Sequence, residues 1–436
     1  MKVLVVSRLF SGFIDAFNTG DWPPAGSPAI YKLLEGFADD RDCTLDAIFT
    51  IKDQTTEENF QRRDRTIPIP RLRLAARVLR FRKSSWWREA LHSATILLHI
   101  FRTRPDVVYF TNANFIAASL AARFGMTKSV LRFMGLFPHE KSIAEGNGRA
   151  LVRWLYRAPF AMVLCTEEGS GAQVYLPKLL NASVPLHVVI NGVDAGTSRT
   201  ARDEFFRRHE LPTDRALILF VGRLEEYKGT AEFCAGLKNL LTISSTICSV
   251  VVIGDGSMRP LVEASAADVV AGGGVFRFFG GIPHDEVLQW YRASDVYVSL
   301  NKHGNLSNAN LEAIVSGVCL VLPESDPNSS TDLVTDNLIP KTAAVRLPRE
   351  DLTGALTRTV ADLASAPEDR AKLSANLRQV SPDFIQSWAD RISWELDVLK
   401  ALSQKDRFSE IPNLGHETTI RARTPSSSGP RFQSKE

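Results

Sequence analysis

Short runs of uninterrupted apolar residues recur along the chain, separated by stretches in which apolar positions return every three or four residues. The first kind fits strands buried on both faces and the second fits helices laid over them, so their alternation predicts parallel sheets flanked by helices. In the first half the strand-like runs are residues 3–7, 44–49, 107–110, 129–133, 162–165 and 186–190. A Gly/Pro/Asn loop from Gly12 to Pro28 precedes an amphipathic helix near residues 30–37. After Ile190 the turn-rich stretch NGVDAGTSRT reads as an interdomain connection. A second set of strand-like runs follows at 217–221, 250–253, 275–279, 296–300 and 318–322. The pattern predicts an α/β chain of two doubly wound, Rossmann-like domains facing across a cleft, residues 1–195 and 196–380. Residues 381–404, with Pro382 at a helix start and apolar Phe384, Ile385, Trp388, Ile392, Leu396 and Leu399, predict an amphipathic terminal helix. From 405 to 436 Ser, Pro, Thr, Arg and Lys dominate, which predicts a tail without a packed fold.

Composition narrows the class. A length of 436 residues exceeds one ordinary core, and 44% hydrophobic with 23% charged residues is the balance of a soluble globular protein. Five scattered cysteines (Cys43, Cys165, Cys234, Cys248, Cys319) form no CxxC or Cys/His spacing. They read as buried thiols in a reducing compartment, not as a disulfide frame or a metal site. The opening MKVLVVSRLF is a first strand without a signal-peptide pattern, and no uncharged apolar run is long enough to span a membrane. The expected location is cytoplasmic.

Net charge is only +3, but its distribution is uneven: residues 62–104 hold twelve Lys/Arg against two acids, Asp64 and Glu89. Arg73, Arg77 and Arg80 fall at helical spacing, and Trp86 and Trp87 follow. Basic residues with interfacial tryptophans suit a helix lying on an anionic membrane surface, which implies peripheral association with its inner face. A solvated basic helix packed on its own sheet gives the same pattern. Nucleic acid is not expected as a partner, since no binding motif accompanies the charge.

Candidate chemistry sits in the second half. In ILFVGRLEEYKGT, residues 218–230, Arg223 and Lys228 emerge just beyond an apolar strand, where an open α/β sheet binds ligands. Arginine offers a planar fork to phosphate oxygens and lysine a point charge. In VVVIGDGSMRPL, residues 250–261, Gly254 and Gly256 mark a tight turn. In FFGGIPHDEVLQWYRASDVYVSL, residues 278–300, Gly280 and Gly281 let the backbone approach whatever fills the cleft. The stretch VYVSLNKHGNLSNANLEAIVSGVCLVLP, residues 296–323, reads as strand, polar loop, short helix and strand. Such a helix start favours phosphate, and Glu312 inside it could accept hydrogen bonds from ribose hydroxyls.

These segments, in this order, resemble the retaining glycosyltransferases of the GT-B type, the group 1 or family-4-like enzymes. HVVINGVD before the connection and FIQSWADR in the terminal helix add to the resemblance, which spans about residues 186–400. It implies transfer of a hexose-type sugar from a nucleotide-diphosphate donor, which is a substrate; no cofactor and no metal are implied. It also implies a glycan or lipid-linked acceptor, retention of configuration, and a terminal helix that crosses back to the first domain. By the same resemblance Arg223 and Lys228 neutralise the diphosphate and Glu312 holds the ribose. Backbone amides near Leu306, Ser307 and Asn308 cap the phosphates, and the backbone of Gly281 and Ile282 meets the base. Gly26 and Ser27 are placed on the acceptor side. Two positions depart from the family pattern. Gly304 stands where a Glu is usual, eight residues before Glu312, which leaves His303 or Asn305 to touch the sugar. Met134 stands where many relatives have a His before Gly135, which leaves His139 as the candidate catalytic histidine.

Other readings stay open at this level: a nucleotide-sugar epimerase or hydrolase on the same scaffold, or a non-catalytic nucleotide-sugar-binding subunit. Asp40-Arg41-Asp42 is formally an Asp-x-Asp metal motif, but it lies in a charged turn without a second ligand set. No Gly-x-Ser-x-Gly elbow supports a serine hydrolase.

Overall fold

The computed structural model describes residues 1–24, 26–52, 60, 66–80, 85–194, 196 and 201–404; the tail expected at 405–436 lies outside them. The first half forms strands β1 (Lys2–Arg8), β2 (Thr44–Thr50), β3 (Thr66–Ile69), β4 (Leu72–Ala75), β5 (Arg77–Leu79), β6 (Val107–Thr111), β7 (Lys128–Phe133), β8 (Met162–Thr166) and β9 (Leu186–Val189). The second half forms β10 (Ala216–Val221), β11 (Cys248–Ile253), β12 (Val275–Phe278), β13 (Val296–Val298), β14 (Cys319–Pro323) and β15 (Val345–Leu347).

Two parallel sheets result, in the orders β5-β2-β1-β6-β7-β8-β9 and β12-β11-β10-β13-β14-β15. In each, the chain starts in the middle, runs to one edge, then returns to fill the other side. The strand order therefore reverses beside β1 and beside β10, and a crevice opens at the carboxyl ends of the strands there. Both faces of each sheet are covered. One side of the first sheet holds Val3, Val5, Leu33 and Phe37 with residues of the terminal helix, and the other holds Leu4, Val6, Ile96 and Ala118. This two-sided burial is why the strands read as continuous apolar runs.

The basic segment departs from its expected helix. Residues 66–69 and 72–75 pair antiparallel as a β3–β4 hairpin, and β5 adds to the edge of the first sheet beside β2. Leu74, Ala76 and Val78 are buried while Arg73, Ala75 and Arg77 are exposed, so a period of two prevails over the three-and-four spacing of the arginines. Arg80 turns to the carbonyl of Phe60 and lies over its ring at 4.3 Å. Among the described residues of this segment the helix is Ser85–Thr103, with Trp86 and Trp87 in its first turn.

The terminal helix also starts later than Pro382. Ser381–Asp383 form a single 3-10 turn, and Phe384 is buried in the core of the second domain. The helix proper is Trp388–Ser403, with the Ser387 hydroxyl accepting from the Asp390 N–H at its start. Its Trp394, Val398 and Leu399 are buried in the core of the first domain, beside the helix Pro28–Asp39. Gly36 makes the approach possible, since a Cβ there would come within 2.6 Å of Ile392. The chain thus crosses between domains twice, and the crossings run side by side: Val193 N–H donates to Gln386 O at 2.9 Å and Trp388 N–H to Asp194 at 3.2 Å.

Candidate functional site

The site is built on the ends of β10, β11 and β12, stitched together by main chain. Gly222 N–H donates to Ile253 O at 3.0 Å, Gly254 N–H to Gly280 O at 2.7 Å, and Leu224 N–H to Asp255 O at 3.0 Å. Gly254 has φ +139°, and a Cβ on it would fall 1.8 Å from the Gly222 carbonyl oxygen. The glycines of the GDG turn are therefore required by this backbone contact and need no ligand to explain them. Gly281 differs: a Cβ there would meet nothing within 4 Å, so its backbone borders open space.

Lys228 ends a 3-10 turn, Glu226–Lys228, and lines a crevice with Gly222, Tyr297, Ser299, Ser307 and Asn310. Burial pushes its ammonium below the usual lysine range, Glu168 pulls it back up, and Arg223 pushes it down again. Arg223 is 73% exposed and pairs with Glu225 at 3.4 Å. The two cations of the motif are thus unequal: one is desolvated in the crevice and the other is exposed to solvent.

The loop after β13 is held by a buried polar network. Asn305 is fully buried; its N–H and its side-chain amide both donate to Asp332, at 2.7 Å each. Its carbonyl oxygens accept from Ser299 Oγ at 2.8 Å and Asn310 Nδ2 at 3.0 Å. Asn305 and the buried Leu306 therefore point away from the crevice, and the Leu306 N–H is taken by Glu168 O at 3.1 Å. Of the expected amide cap, this leaves Ser307 and Asn308 at the start of the helix Asn308–Ser316, where the first N–H groups have no intrahelical acceptor. His303 sits at the mouth, stacked on Tyr227 with ring centroids 5.3 Å apart, and burial with four nearby cations holds it below its usual pKa.

Gly304 is crowded from the other domain. It has φ +137°, and a Cβ would lie 2.2 Å from the carbonyl oxygen of Glu168 and 2.7 Å from Gly169 C. Those neighbours are main chain of the first domain, so no side chain fits. The position read as a missing acid is an interdomain contact.

Glu312 lies on the same helix with its side chain 16% exposed, 3.8 Å from His284 Nε2. Burial drives its carboxyl up to about 8, against the Tyr291 hydroxyl, which favours the ionised form. Tyr31, from the first-domain helix that Gly26 and Ser27 precede, is close enough to feel Glu312 and Asp194. Gly26 and Ser27 both have positive φ, 75° and 50°, and a Cβ on Gly26 would meet nothing within 4 Å.

His139 is 66% exposed and faces Glu140 at 3.2 Å; among the described contacts nothing joins it to Lys228 or Glu312. Met134 packs against the first-domain core, and Gly135 beside it touches the Glu168 carboxylate instead. Asp40 of the Asp-x-Asp triplet pairs with Lys400 of the terminal helix. Among the described residues no cluster of three or more His, Cys, Asp or Glu could hold a metal, and the five thiols are free, all but Cys43 buried. No helix among them is long and apolar enough to cross a membrane.

Two acids at the end of β8 escaped the sequence reading. Glu167 is buried, accepts from Gly169 N–H at 2.8 Å, and is pushed by burial up to about 7. Glu168 faces Lys228, and burial likewise raises it to about 7 against the pull of Lys228 and Arg132. The strand-end rule that picked out Arg223 and Lys228 would have found both.

Residues 201–380 match the family model described as Glycosyl transferases group 1. A 2-deoxystreptamine N-acetyl-D-glucosaminyltransferase of Streptomyces fradiae is 28% identical over 179 residues, 41% of this chain and 41% of that protein. A GDP-mannose-dependent alpha-mannosyltransferase of Mycobacterium tuberculosis is 27% identical over 190 residues, 43% of this chain and 45% of that protein. The chain thus spans under half the length of these relatives. Anabaena HepE in complex with UDP superposes with a TM-score of 0.62 at 14% identity, covering 92% of this chain and all of that one. A sucrose-phosphate synthase of Thermosynechococcus elongatus gives 0.65 at 14% identity, covering 92% and 98%. The fold is GT-B.

Proposed function

We infer that this chain, whose second domain matches the group 1 glycosyl transferases and whose two domains form a GT-B fold, moves a sugar from a nucleotide-diphosphate donor to an acceptor. The observation that carries the reading is Lys228, desolvated just beyond a strand end and lining one crevice with Ser307, at the start of the helix Asn308–Ser316. A buried ammonium opposite a helix N-terminus is poor at resting and good at receiving an anion of two phosphates. Glu312, one turn into the helix, suits the ribose, and the open backbone at Gly281 and Ile282 suits the base. Bound UDP and UDP-glucose in the solved structures of Anabaena HepE support a donor of this class.

The chemistry is that of a retaining transfer. The bond between the anomeric carbon and the phosphate oxygen breaks, and its electron pair goes to the diphosphate. The acceptor oxygen bonds to the same carbon on the same face, and its proton passes to the departing phosphate oxygen. Lys228, Arg223 and the helix start stabilise the charge that develops there, the role a metal would otherwise fill. No protein nucleophile is needed.

The acceptor we propose is lipid-linked or a growing polysaccharide at a membrane surface. Supporting this, the helix Ser85–Thr103 exposes Trp87, Leu91, Ala94, Leu98 and Phe101 at three- and four-residue steps, with Phe101 65% exposed. Phe124, just past the helix Phe115–Arg123, and Leu151 and Trp154, on the helix Ala150–Tyr156, are exposed on the same side of the first sheet, and Arg123 lies over Trp154. An apolar stripe edged by arginines suits an anionic lipid interface.

Donor turnover with glycan and lipid-linked acceptors tests the reading. Lys228→Ala should lower kcat by roughly 10²- to 10³-fold, the usual effect of removing one transition-state donor. Undiminished transfer in that variant ends the phosphate assignment. Full-rate release of free nucleotide without acceptor would replace transfer with hydrolysis or epimerisation, and binding without turnover would leave a non-catalytic subunit. Vesicles test the membrane part: anionic ones should retain the protein more than neutral ones, and Trp87→Ser with Phe101→Ser should abolish the difference.

A further inference from the structure

Glu168 is an acid for which the donor cradle described so far has no use. It follows β8 directly, at the carboxyl end of a first-domain strand, and its backbone is pinned to the second domain. The Glu168 carbonyl accepts from Leu306 N–H at 3.1 Å, and the adjacent Gly169 carbonyl accepts from Asp332 N–H at 2.7 Å. Its side chain lies against Gly135, where a Cβ would come within 2.5 Å of Glu168 Oε2. Lys228 and Arg132 are near enough to act on its charge. Yet among the described residues no hydrogen bond or ion pair to that carboxylate closes.

Of the neighbouring acids, Asp332 is fully engaged, whereas Glu167 is half engaged, its Oε2 buried without a hydrogen-bond partner among the described residues. Glu167 holds Gly169 N–H at 2.8 Å; Asp332 holds Asn305, Thr335 at 2.8 Å and Arg349 at 3.1 Å. The loop 301–308 contains no acid, and Gly304 has no room for a side chain. Glu168, unlike Glu167, acts on the charge of Lys228, and its carboxylate has unused lone pairs on that side. A diphosphate seated between Lys228 and the Ser307–Asn308 amides, with its nucleoside toward Gly281, turns its other end to the first domain. In a donor, that end carries the sugar, and sugar hydroxyls need acceptors when they leave water.

We propose that Glu168 accepts hydrogen bonds from hydroxyls of the transferred sugar and so sets which sugar the site takes. The inference rests on the donor reading above and goes further by naming a residue of the first domain for the sugar itself. It has a signed signature. A carboxylate beside Lys228 repels a bare diphosphate, so removing its charge should tighten diphosphate binding or leave it unchanged. Only a contact to the sugar makes the same change weaken the sugar conjugate.

The experiment is calorimetric titration of wild type and Glu168→Gln with UDP, GDP, UDP-glucose and GDP-mannose. Gln keeps the shape and both main-chain bonds, and an unchanged melting midpoint checks that the fold survives. The expected result is that, for the pair wild type binds, Kd for the diphosphate stays the same or falls, while Kd for its sugar conjugate rises at least fivefold. If both Kd values move by the same factor, or neither moves, Glu168 acts on Lys228 alone and the proposal is overturned. Wild type that binds none of the four ends the donor reading, and the role of Glu168 ends with it. Wild type that binds with an unmoved ratio ends only the role of Glu168.

Discussion

Glu312 is held in a protonation state at odds with the task proposed for it. Burial raises its carboxyl to about 8, so at neutral pH without ligand it is mostly a neutral acid, whereas two ribose hydroxyls are best met by a carboxylate. If donor binding needs the ionised form, each pH unit below 8 costs up to about tenfold in affinity. Diphosphate affinity should therefore rise from about pH 6.5 towards 8 and level off above it, more steeply in wild type than in Glu312→Gln. The variant is the reference because Glu168, also raised, ionises over the same interval and opposes diphosphate. Equal slopes by calorimetry would remove the ribose role. The linkage to folding has the opposite sign: a carboxyl raised from 4.5 to about 8 contributes stability that is fully present below pH 4.5 and lost as pH rises through 8. The placement of Arg223 and Lys228 beyond β10 was legible in the sequence because a strand end followed by charged residues is a local signal. Asn305 and Leu306 misled for the complementary reason: their place in a polar loop says nothing about Asp332, twenty-seven residues on, which turns Asn305 inward.

At the scale of elements, the loop between β13 and its helix is shaped by the other domain. Gly304 presses on Glu168 and Gly169 with φ +137°, a conformation and a clearance that exclude any Cβ. Gly304→Ala should destabilise the protein by about 1–3 kcal/mol, since the obstructing atoms are backbone and cannot rotate away. Where the domains swing apart to relieve the clash, small-angle scattering should instead report a larger radius of gyration. An unchanged melting midpoint together with an unchanged radius would contradict the contact. From sequence alone this glycine looks like a lost acid, because the crowding comes from a segment more than a hundred residues away. The same limit explains the basic region. The arginine spacing at 73, 77 and 80 fits a helix, but the alternation that prevails becomes decisive only when β2 offers an edge for β5. Long, doubly buried strands such as β1, β10 and β11 needed no such context, and the sequence read them within a residue or two.

The whole molecule is closed by the helix Trp388–Ser403, which belongs to the first domain's core although it comes last among the described elements. Trp394, Val398, Leu399 and Leu402 are buried there with Trp388 and Ile392. At roughly 1.5–3 kcal/mol per buried side chain, their removal costs on the order of 10 kcal/mol. That is comparable to the ~5–15 kcal/mol by which a whole domain is stable. Beneath them lies a charged knot: Glu395 meets Arg391 at 2.7 Å and Arg132 at 3.7 Å, and the Tyr109 hydroxyl donates to it. Burial works against ionised Glu395, but Arg391 and Arg132 outweigh it and hold the carboxyl below its usual range. Arg132 in turn donates to Asn191 at 3.4 Å, and Asn191 to Asn308 at 2.8 Å, at the start of the Glu312 helix. The terminal helix is thereby linked, through the first domain, to the donor cradle of the second. Two consequences can be measured. Residues 1–194 produced alone should lack a cooperative unfolding transition and bind hydrophobic dye, and a peptide of residues 384–404 added in trans should restore the transition. Glu395→Gln in the full chain leaves two buried guanidinium groups without their counter-charge and should cost about 3–5 kcal/mol. If Glu395→Gln melts like wild type, the helix is held by its apolar face alone; if residues 1–194 fold cooperatively without the peptide, the first domain does not depend on the crossing at all.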